Sequence, residues 1–267
     1  MSSKRKNEEW DAGSRMHVLD WVESPLFISD VQALITTTGL RVDDQARRQP
    51  RRRGDHRESV LTGDRDPFLT ETQKESLLKW WLVHRSGAKL PTWDLVVTAR
   101  TADECPALVL FEAKAHISEL SDAGKEMAIR AKEDEQNRTR ENHEKIAAAI
   151  QEASRALDAQ CPGIALTHAR SYQFANRIAF AWKLATMGIP VALVYLGFLG
   201  DDAIAVPSDR LNTCKEWKDV FMSHAKSHFP ECGLDRPICC GPESFWVLCR
   251  SHPVLRPSPP INERRIL

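Results

Sequence analysis

The order of apolar and polar positions divides the chain into helical and strand-like stretches. Between 16 and 38, Val18, Leu19, Val22, Leu26, Val31, Leu34 and Ile35 recur at loosely helical spacing, and Gly39 offers a stop. Residues 41–66 lose that period. They carry few apolar side chains, and their arginines outnumber Asp43, Asp44 and Asp55, so a linker or mobile loop is expected. A helix is predicted over 70–86. Thr70 can cap it, Glu71 suits the positive end of its dipole, and Glu71, Glu75, Leu78 and Leu82 share one face.

The period then changes from helical to alternating. Residues 92–99 read TWDLVVTA and residues 108–115 read LVLFEAKA, joined by the polar turn TADECP, which predicts an antiparallel hairpin. A long charged helix is expected over about 118–160, with Ile146, Ala149, Ile150, Ala153 and Leu157 as its apolar stripe and Pro162-Gly163 as its end. A second helix follows over 168–187, closed by Gly188. Residues 189–199 are continuously apolar, as in a strand buried on both faces of a sheet. A helix near 210–227 and a strand near 244–250 complete the pattern. Residues 1–15 and the tail RPSPPINERRIL read as frayed and extended, and no internal repeat is found.

This order predicts an α/β protein with a central mixed sheet flanked by helices. It suggests a helix and Arg-rich linker over 1–66, a core over 67–200, and a C-terminal extension over 201–267 packed on that core.

Composition adds little to this and removes some options. Apolar residues make up 42% and charged residues 28%, which is ordinary globular composition. Lys plus Arg and Asp plus Glu each count 37, so the net charge is zero and a generally basic polyanion binder is disfavoured. A local basic cleft remains compatible. The opening MSSKRKNEEW has no apolar leader, and the run 189–199 is too short to span a bilayer. The seven cysteines therefore read as reduced, in a cytoplasmic protein with no membrane partner. They contain no CxxC pair, and with His224 and His228 they fit no ordinary zinc spacing.

The charges of the hairpin are the unusual feature. Asp94 opens an apolar strand, and Glu112 and Lys114 end its neighbour. Residues two apart on a strand face the same way, so Glu112 and Lys114 share a face and Ala113 takes the other. Charges there are costly unless they are paired or bind a metal. Two carboxylates, a backbone carbonyl and waters suit magnesium or manganese.

Pro91-Thr92-Trp93-Asp94 followed by Phe111-Glu112-Ala113-Lys114 resembles the PD-(D/E)XK nuclease superfamily, with the proline three residues ahead of the acid. The resemblance covers roughly 70–200 and implies a restriction endonuclease-like core. It also implies magnesium-dependent hydrolysis of nucleic-acid phosphodiesters, with DNA as the expected substrate. Asp94 and Glu112 would hold the metal, the Ala113 carbonyl would be a further ligand, and Lys114 would assist the attacking water. The family's helix glutamate maps to Glu75 or Glu71, with Glu75 preferred. The family's usual strand between that helix and the aspartate has no counterpart in 86–90. On the helix YQFANRIAFAWKLA, Gln173, Asn176 and Arg177 share a face and would contact substrate, with Tyr172 beside them. His116, Asn142 and the run RRQPRRR at 47–53 are further polar candidates. A homo-oligomer is compatible with this reading. So is a catalytically inactive relative that binds nucleic acid or a protein partner.

Overall fold

A computed structural model describes residues 13–55, 57–63, 68–86, 88, 90–202 and 206–255. The expectations for residues 1–12 and for the tail 256–267 lie outside these. Among the described residues the fold is α/β, with a six-stranded mixed sheet, a two-stranded sheet and six α-helices.

The N-terminal apolar stretch forms two helices, α1 (Ser14–Val22) and α2 (Phe27–Leu34), with Pro25 in the break between them. The expected linker 41–66 contains β1 (Arg48–Gln49) and β2 (Ser59–Val60). Helix α3 (Glu71–Trp81) starts at Thr70, the expected cap, which forms a reciprocal capping box with Gln73, and it ends before the expected 86. Strand β3 (Thr92–Trp93) pairs with β2, and β4 (Leu95–Arg100) forms the expected antiparallel hairpin with β5 (Pro106–Lys114).

Helix α4 spans Glu133–Gln160 and not the whole charged stretch. Residues 120–132 instead form an irregular strap. Its backbone is used elsewhere: the carbonyls of Asp122 and Ala123 accept the N–H groups of Ser171 and Tyr172 at 3.0 and 2.9 Å. Those are the orphan donors at the start of α5 (Tyr172–Thr186), so the strap supplies that helix with its cap. Gly124 permits the approach, because a Cβ there would lie 2.2 Å from the carbonyl oxygen of Ala169.

Strand β6 (Val191–Leu199) runs parallel between β5 and β8 (Ser244–Pro253) and is buried along nearly its whole length. Helix α6 (Cys214–Ala225) and β7 (Ile238–Cys239) complete the fold, giving the sheet order β1-β4-β5-β6-β8-β7. Both flanking segments thus contribute strands to the one sheet. The position beside β4 is taken by β1, from upstream of α3, and not by a strand between α3 and β4.

The sheet separates two apolar layers. Val109, Phe111 and Ala113 pack with α1 and α2 beneath one face. Leu108 and Leu110 pack with α3, α4 and α5 on the other. Strand alternation therefore turns Glu112 and Lys114 toward α5.

Candidate active site

The β4–β5 ladder ends at Leu95 opposite Phe111. One residue beyond, the Asp94 side chain continues it: the Ala113 N–H donates to Asp94 Oδ2 at 2.7 Å. A strand residue's N–H and C=O leave on the same side. The Ala113 carbonyl accordingly leaves β5 toward Asp94.

Glu112 is buried at the centre of the cluster. Its Oε1 accepts from Lys114 Nζ at 2.5 Å, and its Oε2 accepts from Arg177 Nε at 2.6 Å. Lys114 Nζ also donates to Gln173 Oε1 at 3.2 Å. Arg177 Nη1 donates to Asn176 Oδ1 at 2.9 Å, and its guanidinium lies 4.6 Å from the Trp93 ring centre. The helix face predicted from sequence thus meets the hairpin charges.

Two acids and two bases balance, but not evenly. Burial alone would raise the Glu112 carboxyl, yet the charges of Arg177 and Lys114 overrule it and hold it below its ordinary value. Asp94 has only a backbone N–H as close donor. Burial of its carboxylate, then the charge of Glu112, pushes it up to about 7. Lys114 and Arg177 are held charged despite burial by Glu112 and Asp94.

Beside the cluster lies a cleft of about 420 Å³ lined by Pro91, Thr92, Tyr172, Gln173, Asn176 and Arg177, with Ala123 and Gly124 of the strap. Gln173 and Arg177 line it while bonding Lys114 and Glu112, which are buried behind them. Burial raises the Tyr172 phenol to about 12, so it stays a neutral hydrogen-bonding group. Sequence reasoning missed two residues. Trp93 supports Arg177. Tyr195 lies opposite Glu112 in the β5–β6 register, buried, with its hydroxyl donating to the Phe174 carbonyl at 3.4 Å. The only signal for Tyr195 was a lone hydroxyl in an otherwise apolar strand.

Other candidates are placed elsewhere. Glu75 is held at the surface by a two-point ion pair with Arg85, at 2.8 and 2.7 Å, and has no bond to Asp94, Glu112 or Lys114. The helix-glutamate expectation is corrected accordingly: Glu75 stands exposed on α3, where it reaches Arg85 and not the hairpin charges. Glu71 pairs with Lys74 at 2.7 Å. Asn142 accepts from the N–H groups of Val83 and His84 and donates to the His84 carbonyl, pinning the end of α3 to α4. His116 contacts Glu119 at 3.0 Å and Asp209 at 3.5 Å. In the arginine run, Arg53 bonds Asp20 at 2.5 Å and Arg48 stacks on Phe27, so both serve packing.

Among the described residues, no three His, Cys, Asp or Glu side chains converge as a metal cluster. Two carboxylates and a carbonyl still match what magnesium asks of a protein when it keeps its own waters and substrate oxygens. The Asp94 carboxyl is raised first by burial and then by the charge of Glu112, and a bound cation would offset both, so the donor set fits a hard divalent cation. Glu112 would join it by releasing one of its two cationic partners.

Comparison with protein-family models, curated proteins and solved structures finds no match for this chain. No helix among the described residues is long and apolar enough to cross a membrane.

Proposed function

We propose that this protein is a metal-dependent nuclease with a restriction endonuclease-like core, hydrolysing phosphodiester bonds in nucleic acid, DNA foremost, in the cytoplasm. The observation that carries the reading is the position of Glu112. It is bound on one oxygen by Lys114 and on the other by Arg177, near an Asp94 whose carboxyl is raised, behind a cleft that Arg177 and Gln173 line. A purely structural ion pair needs neither the second acid nor the opening.

Asp94, Glu112 and the Ala113 carbonyl would hold magnesium or manganese, which supplies a polarised water and charge neutralisation when bound. Lys114 would hold the attacking water by a hydrogen bond, its ammonium kept charged by Glu112. Arg177, freed from Glu112, presents a planar fork matched to a phosphate oxygen pair. Gln173 and Asn176 position the backbone beside it. The water oxygen forms a bond to phosphorus as the ester P–O bond breaks; the proton the water gives up passes to solvent, and the leaving alkoxide takes one up from solvent. The test is a cleavage assay with magnesium on single- and double-stranded DNA and RNA. Equal activity of wild type and Lys114→Ala rejects the assignment.

A second reading rests on the same Glu112 contacts. With both oxygens already satisfied, the cluster could be a closed internal network in an inactive relative that binds nucleic acid or a protein. Titration calorimetry separates the two: heat on adding magnesium or manganese, lost in Asp94→Asn, supports the enzyme.

A further inference from the structure

A second, larger cleft of about 650 Å³ lies between the end of α3, the strap and the first turns of α4. Its polar lining includes Lys125, Arg130, Arg138, Asn142 and His143, with Glu126 and Glu135 as its carboxylates. Nothing in the proposed chemistry uses it.

Its three cations, Lys125, Arg130 and Arg138, face two carboxylates, Glu126 and Glu135. Glu135 is engaged by Lys132 at 3.3 Å. Among the described residues the Arg130 and Arg138 guanidinium groups make no ion pair, and the Lys125 ammonium meets only the Tyr172 ring, 4.8 Å from its centre. The His143 Nδ1 is buried without a hydrogen-bond partner. Burial, then the charges of His168 and Lys125, lowers the basicity of His143, against the charge of Glu144.

The cleft also neighbours the candidate active site, across the strap. Ala123 and Gly124 line the inner cleft and Lys125 lines the outer one. Tyr172, beneath the Lys125 ammonium, faces the inner cleft beside Gln173. One strap of chain is all that separates them. On that strap, Met127 and Ile129 stand 42% and 92% exposed between Lys125 and Arg130. Basic and exposed apolar side chains thus stand close together on the strap, with Glu126 among them; Met127 lines the outer cleft and Ile129 stands beside it.

We propose that the outer cleft is the track for a single nucleic-acid strand flanking the scissile phosphate. Its phosphates bind Lys125, Arg130 and Arg138, and its bases or sugars rest on Met127 and Ile129. The occupant follows from size and chemistry. A cleft in the small-molecule range of roughly 300–1,000 Å³ admits one strand but not a duplex. Exposed apolar side chains gain contact only from unpaired bases, whereas a duplex would offer them phosphates. The inference rests on the nuclease reading and extends it to substrate class.

The test measures anisotropy of a labelled single-stranded oligonucleotide and of the matching duplex, without divalent metal, over a range of salt. Wild type is compared with Arg130→Gln/Arg138→Gln, Ile129→Ser and Lys114→Ala. Each phosphate contact on a single strand contributes about 0.7 to the salt slope. The double variant is expected to flatten that slope by about 1.4, and Ile129→Ser to weaken the single strand but not the duplex. Arg130, Arg138 and Ile129 are exposed, so unchanged melting will verify the fold. An unchanged salt slope and affinity in the double variant overturns the track, as does equal loss on duplex. Cleavage by wild type with an unaltered KM in the double variant leaves the nuclease and removes the track. A flattened slope with no cleavage on any substrate removes the nuclease and leaves the track.

Discussion

The Nε of Arg177 donates to Oε2 of Glu112 at 2.6 Å, tying the first turns of α5 to the end of β5 across 65 residues of sequence. Both groups are buried. The bond therefore fixes the helix to the sheet and sets which side chains reach the cleft.

Removing one member of this buried cluster leaves charge without a partner. Glu112→Ala strands both Lys114 and Arg177, and a loss of about 3–5 kcal/mol is expected. Denaturant unfolding of Glu112→Ala, Arg177→Ala and the double variant will show it. Strictly additive losses would mean that the two side chains do not interact in solution.

Asp94 has a sign opposite to the usual carboxylate. Its folded pKa is raised from 3.8 to about 7, so between those values the folded state holds a proton that the unfolded state has lost. Stability from this group falls as pH rises through that window and is fully lost above it. Asp94→Asn should match wild type near pH 4 and be the more stable above pH 7. Magnesium or manganese should move the wild-type inflection downward, since a bound cation favours the carboxylate. Melting curves against pH, with and without metal, check both. An inflection absent from wild type contradicts the burial of Asp94.

Lys114→Ala keeps the Glu112–Arg177 bond and should fold. Its turnover is expected to drop about 10²–10³-fold, the usual cost of losing one charge-stabilising donor. Single-turnover cleavage is the measurement.

Glu75→Ala breaks only a surface pair with Arg85 and should leave cleavage unchanged. A loss as large as that of Lys114→Ala would return Glu75 to the site.

Gly124→Ala puts a methyl group onto the Ala169 carbonyl and should lift the strap from the start of α5. Faster proteolysis within 120–132 and a higher KM are expected. Wild-type behaviour in both would show that the close approach is not maintained.

Much of the candidate site was legible because it follows local periods. The hairpin, the shared face of Glu112 and Lys114, and the i, i+3, i+4 face of Gln173, Asn176 and Arg177 all come from the strand and helix repeats. The two-residue strands β1 and β2 were not legible, since two residues carry no period and their Arg-rich setting reads as solvated chain. The composition of the strap is helix-like, so the sequence pattern predicts helix across it. Its backbone carbonyls are instead claimed by a helix start some fifty residues away. Glu75 lay on the expected face, but helical spacing says nothing of Arg85 beyond the helix end.

By itself, the sequence determined that charges would stand at the mouth of an apolar hairpin and on which side of each element they would point. Dihedral geometry repeats along the chain, and that is enough. Only the tertiary structure decided that Arg177 would meet Glu112, that Tyr195 would lie beside it, and that β1 would fill the place next to β4. Those contacts depend on packing two layers against one sheet, and the energy that selects them lies in burial and pairing between residues that no local period connects.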